Sequence, residues 1–118
     1  MDILEFRQYC LNMPAVTETM PFGPGTLVMK VAGKMFALTG LDEADFRINL
    51  KCDPQRAVEL RDRYPEIIPG WHMSKKHWNT VHVENGALPD TLVRELIDHS
   101  YDLVVADMTK KLRAEYGL

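Results

Sequence analysis

Thirteen residues, Pro69 to Val81, concentrate the side chains best suited to engage another molecule. Trp71 and Trp78 bring flat π surfaces, Lys75 and Lys76 positive charge, His72 and His77 imidazoles, and Asn79 an amide that both donates and accepts. Lysine and histidine can meet phosphate oxygens, an indole can stack on a base, and asparagine can read a base edge. The same mixture can also be structural. Tryptophans plug the rim of a core, asparagine caps turns, and surface lysines are commonly just solvated.

Other arrangements are poorer. His72, His77 and His82 follow one another at intervals of five. On a strand, odd spacing puts neighbours on opposite faces, a poor geometry for a shared metal, and no cysteine or clustered carboxylate completes a ligand set. No metal and no cofactor are expected. Cys10 and Cys52 fall on the apolar sides of their elements, where thiols are inert. Ser74 has no Gly-x-Ser-x-Gly elbow around it, and Gly23, Gly25 and Gly33 build no phosphate-cradling loop. Asp42, Glu43 and Asp45 read as a solvated acidic loop, and His99 as a surface or half-buried helical residue. The chain is expected to bind and not to catalyse.

These residues need elements to hold them. Asp2 as N-cap and the spacing of Ile3, Phe6, Cys10 and Met13 predict a helix over about residues 2–12, closed by Asn12 and Pro14. Met20-Pro21-Phe22-Gly23-Pro24-Gly25 predicts a stiff irregular turn. Strands follow at 26–31 and 35–39, joined by a tight reversal at Ala32-Gly33-Lys34. From Phe46 to Cys52 the chain alternates with period two: Phe46, Ile48, Leu50 and Cys52 face a core, and Arg47, Asn49 and Lys51 face away. Asp53-Pro54 opens a helix to about Arg63, which Tyr64-Pro65 ends. Glu66 to Pro69 reads as loop. Trp78 to Glu84 reads as a strand followed by an Asn85-Gly86 turn. Leu88-Pro89-Asp90 then enters a long helical region with an apolar stripe from Leu92 to Met108, and Ser100 is the place for a break or kink.

This order has no βαβ alternation. It predicts one α+β domain over residues 1–118, an antiparallel sheet with terminal helices packed on one face. The other face, partly open, would carry Lys30, Arg47, Asn49 and Lys51, joined by Thr80 and His82.

The totals agree with one globular domain of 118 residues, 46% hydrophobic and 26% charged. No apolar run approaches the roughly 20 residues that span a bilayer. Met1-Asp2-Ile3-Leu4-Glu5 lacks a basic, signal-like start, so the reading is a soluble cytoplasmic protein. Two unpatterned cysteines support no disulfide framework. A net charge of −3 argues against a strong nucleic-acid binder. The charge is uneven, however: residues 30–83 hold nine basic and seven acidic side chains, and both flanking segments are net acidic.

Four segments, Met20-Pro21-Phe22-Gly23, Gly33-Lys34-Met35-Phe36-Ala37-Leu38, Pro69 to Val81, and Ser100-Tyr101-Asp102-Leu103-Val104-Val105, carry a resemblance. The chain is similar to the MmcQ/YjbR family of small bacterial proteins, over nearly its whole length, and the long central segment is the specific part. The resemblance implies a CyaY-like α+β fold, similar to that of frataxin, and DNA binding, the role usually attached to the family. Frataxin-like iron binding is not carried over, because the region of the first helix offers only Asp2, Glu5 and Glu18 in place of an acidic ridge.

Charge pattern and resemblance together place the expected DNA contacts at Arg47, Lys51, Lys75, Lys76 and His77, with Trp78 stacking or wedging and Asn79 at a base edge. The alternative is a module that binds a protein or a small acidic ligand in a groove of tryptophan and methionine, without nucleic acid. The net charge favours that alternative. A monomer with no membrane association is expected in either case.

Overall fold

The computed structural model describes residues 1–42, 44–70 and 73–118, the side chain of Asn85 excepted. The architecture is α+β. In chain order the elements are α1 (Ile3–Leu11), β1 (Val16–Thr19), β2 (Thr26–Val31), β3 (Lys34–Gly40), β4 (Arg47–Lys51), α2 (Pro54–Arg63), β5 (Ile67–Pro69), β6 (Trp78–His82), α3 (Asp90–Ala106) and α4 (Lys110–Glu115). A 3-10 turn, Glu84–Gly86, takes the place of the expected Asn85-Gly86 reversal. The strands form a six-stranded sheet in the order β1-β2-β3-β4-β6-β5, every pairing antiparallel.

Local chemistry explains most boundaries. Asp2 accepts from the Glu5 N–H at 2.9 Å and starts α1, and Asp53 accepts from the Arg56 N–H at 3.1 Å, with Pro54 as the first residue of α2. Ala32 and Gly33 both have positive φ, 49° and 81°, as a two-residue reversal between twisted strands requires. Thr109 caps α4 through the Leu112 N–H, so the C-terminal helical region is two helices and not one. Two strands escape the residue pattern. β1 and β5 are four and three residues long, too short for alternation to stand out, and each forms because a longer neighbour offers it an edge.

The helices share one core with the sheet. Phe6 of α1, Ala57 and Leu60 of α2, and Val93, Leu96 and Ile97 of α3 pack with Met29, Phe36, Ile48, Leu50 and Val81. A bulge shapes β3: Met29 pairs with Ala37 and Lys30 with Met35, which leaves Phe36 as the extra residue. Phe36 and Ala37, adjacent in sequence, therefore both reach the core. Ser100 does not kink α3, which runs unbroken past it. Its buried hydroxyl donates to the Phe36 carbonyl at 2.6 Å and accepts from the Lys51 N–H at 2.8 Å. It fastens the helix to the bulge, and a helix held at that point has no reason to bend there.

Strand parity is as expected on β4. Ile48 and Leu50 are buried in the core, and Arg47, Asn49 and Lys51 lie on the opposite face, paired with His82, Thr80 and Trp78. That face is neither uniformly polar nor open: the apolar Val28 and Leu38 are buried on it, and so is Thr80, linked to them by cross-strand pairing through Asn49. Among the described residues, no helix is long and apolar enough to cross a membrane.

Candidate nucleic-acid interface

Antiparallel topology sorts the charges. At one end of the sheet β3 begins with Lys34, β4 finishes with Lys51, and β6 begins at Trp78 after the turn that carries Lys75, Lys76 and His77. At the other end lie Asp42, Asp45, Glu66 and Glu84, around the end of β3, the start of β5 and the end of β6. The molecule has a basic end and an acidic end that the net charge conceals.

The basic turn is pinned by its backbone. The Trp78 N–H donates to the Ser74 carbonyl at 2.9 Å, and the His77 carbonyl accepts from the Cys52 N–H at 2.8 Å. Arg61 of α2 donates to the Lys75 carbonyl at 3.0 Å and adds a cation that the sequence pattern did not single out. Lys75, Lys76 and His77 are all exposed, and none has a carboxylate partner among the described residues. Lys51 belongs to the same end, but its ammonium lies 3.2 Å from the Asp107 carboxylate at the close of α3. Lys51, Asp53, Ser74, His77, Trp78 and Leu103 line a cleft of about 390 Å³ beside the turn.

The seven expected contact residues do not assemble. Arg47 starts β4, four residues from Lys51 and so about 13 Å away. It donates from Nε and Nη2 to Asp45 at 3.0 and 2.8 Å, and Asp45 also meets His82 Nδ1 at 2.8 Å. Arg47 foremost, then His82, hold the Asp45 carboxyl down at about 2. Arg47 thus serves the acidic end. Asn79 has turned inward and is 2% exposed; its Nδ2 donates to the Ala57 carbonyl at 3.5 Å, and its Oδ1 has no partner among the described residues. A base edge cannot reach it. The signal was in the sequence, because Asn79 has the strand parity of Val81, a core residue. Trp78 is 9% exposed and lines the cleft, so it presents no open face for stacking.

His77 immediately precedes β6 and His82 ends it, so the two stand at opposite ends of the strand. Burial pushes the Cys10 thiol up to about 12 and the Cys52 thiol up to about 11, so both stay protonated and unreactive near neutrality. Trp71 and His72, the other aromatic and imidazole of the central motif, and Glu43 of the acidic loop lie outside the described residues.

The chain and its fold have relatives. Residues 11–103 match the YjbR family model. The Escherichia coli O157:H7 protein YbdF is 39% identical over 105 residues, covering 89% of this chain and 85% of the relative. The protein YjbR of Escherichia coli K12 is 32% identical over 105 residues, covering 89% and 88%. A crystal structure of a Deinococcus radiodurans protein with the DUF419 family domain superposes with a TM-score of 0.92 at 42% identity, covering 98% of this chain and 88% of that one. A Pseudomonas syringae protein structure gives a TM-score of 0.76 at 28% identity, covering 87% and 98%. A family match over most of the chain, which includes the Pro69–Val81 segment that builds the basic end, means that this protein belongs to the YjbR family.

Proposed function

We propose that the protein is a small, non-enzymatic DNA-binding module that grips phosphates through Lys75, Lys76 and His77. The observation that carries this reading is the turn: three consecutive cationic or protonatable side chains, exposed, free of carboxylate partners among the described residues, on a pinned backbone. Arg61 reinforces it. With Asn79 buried, contacts go to the backbone and carry little sequence information. The acidic opposite end makes the −3 protein approach nucleic acid in one orientation.

The test is a fluorescence-anisotropy titration with labelled DNA at low and near-physiological salt. The Lys75→Ala/Lys76→Ala variant should bind more weakly, and its salt slope should flatten by about 0.9 for each duplex phosphate that the variant no longer neutralises. Unchanged affinity in the double variant would sink the proposal.

A second reading draws on the cleft beside Trp78. Its volume of about 390 Å³ lies within the range of small-molecule sites, about 300–1,000 Å³, and an adjoining cleft adds Met35 and Met108. A small planar acid bound there would show little salt dependence and would change tryptophan fluorescence. Binding that ignores salt and shifts the Trp78 emission would favour this reading over DNA.

A further inference from the structure

The two clefts at the basic end share Lys51 and Asp107. The larger, about 390 Å³, has Trp78 and Leu103 in its walls and runs up to His77. The smaller, about 200 Å³, has Met35 and Met108 in its walls and runs up to Lys34. Together they make a trough across the ends of β3, β4 and β6, strands whose first and third members are about 10 Å apart. Its basic side chains follow the strand order, Lys34, Lys51 and His77, with Lys75 and Lys76 on the adjoining turn. Asp53 also lines the trough, but its carboxylate is engaged in capping α2. One carboxylate interrupts the series, that of Asp107, which holds Lys51 at 3.2 Å and is itself 75% exposed.

We infer that this trough takes a single strand of nucleic acid, and that Asp107 competes with the strand for Lys51. Phosphates lie along Lys34, Lys51 and the 75–77 turn, and unpaired bases rest against the Trp78–Leu103 and Met35–Met108 walls. The inference deepens the DNA-binding reading and rests on it. A duplex keeps its bases stacked inside and is too broad to enter clefts of this size, so it can use the turn but not the apolar walls. A single strand can use both, and apolar packing of its bases against those walls adds to the phosphate contacts. The Lys51–Asp107 pair is exposed, hence weakly held, and a phosphate can displace the carboxylate.

The experiment is anisotropy with labelled oligo-dT, alone and paired with oligo-dA, against the wild type, Lys34→Ala, Asp107→Asn and Lys75→Ala/Lys76→Ala, with thermal melts to show that each variant is folded. The single strand should bind more tightly than the duplex. Lys34→Ala should weaken it and lower the salt slope by about 0.7, the value for one single-strand phosphate. Asp107→Asn should tighten it by about threefold, the scale of an exposed ion pair. Equal or tighter duplex binding, or Lys34→Ala and Asp107→Asn without effect while Lys75→Ala/Lys76→Ala weakens binding, overturns the trough and leaves the DNA reading standing. No binding of either DNA form by the wild type at low salt overturns both.

Discussion

Ser100 shows how one hydroxyl can tie three elements together. From α3 it satisfies the Phe36 carbonyl, at the β3 bulge, and the Lys51 N–H at the end of β4. Replacing Ser100 by alanine leaves both buried groups unpaired, so stability should fall by about 2–3 kcal/mol. Urea unfolding measures this; a loss near zero would mean that the helix and the bulge are held by packing alone. No pattern in the sequence announces the role, because serine within a helix reads as a weak helix former and the bulge it serves is 64 residues away. Asn79 is the opposite case. Its strand parity with Val81 is enough to place it inward, but its polarity suggests a surface role.

At the scale of elements, the turn that carries the lysines depends on a close approach between β5 and β6. The Gly70 N–H donates to the Trp78 carbonyl at 2.9 Å, and a Cβ on Gly70 would sit 2.9 Å from Trp78 Cβ, 3.0 Å from its carbonyl oxygen and 3.1 Å from Met73 Cβ. Gly70 is glycine because there is no room for anything else. Gly70→Ala should cost about 1–3 kcal/mol as the strands separate, and it should weaken the proposed DNA binding although every lysine remains. A variant that melts and binds like the wild type would show that the turn is positioned by other contacts. The sequence made the long strands, the caps and α3 readable, since alternation, an Asp before a helix and an apolar stripe are local signals. It did not reveal β1 or β5, because a strand of three or four residues is specified mostly by the edge it joins.

The whole molecule is a charge-separated body whose stability should change in two pH windows. The Asp53 N–H donates to His99 Nε2 at 3.2 Å, which requires that nitrogen to be unprotonated. Burial first, then Arg56, keep the His99 pKa below its ordinary value, against the opposing pull of Glu95, Asp53 and Asp102. A neutral histidine favoured by the fold stabilises fully above the unfolded value of about 6.5 and less as pH falls toward the lower folded value. Asp45 acts further down. Its carboxyl sits at about 2 in the fold, against about 3.9 unfolded, so the stability it lends is whole above the unfolded value and is lost as pH drops toward 2. Urea midpoints followed from mildly alkaline to strongly acid solution should therefore decline in two steps. His99→Gln, whose side-chain oxygen can accept from the same N–H at any pH, should flatten the upper step only. If that variant keeps the full upper decline, another group is responsible.

By itself the amino-acid sequence determined the α+β class, the family, the strand parity of Arg47, Asn49 and Lys51, and the segment where the exposed cations lie. Each of these follows from periodicity, capping or a contiguous motif, so residues near in sequence are enough to define it. Which candidates lie together is a matter of tertiary pairing. It drew Arg47 to Asp45 and His82 at the acidic end, buried Asn79 and most of Trp78, and brought Lys34, Lys51 and Arg61 to the turn at 75–77. The reason is antiparallel pairing. It sets beside one another the start of one strand and the end of the next, so Lys34, Lys51 and His77, 17 to 43 positions apart, share a sheet end, whereas Arg47 and Lys51, four apart, stand at opposite ends.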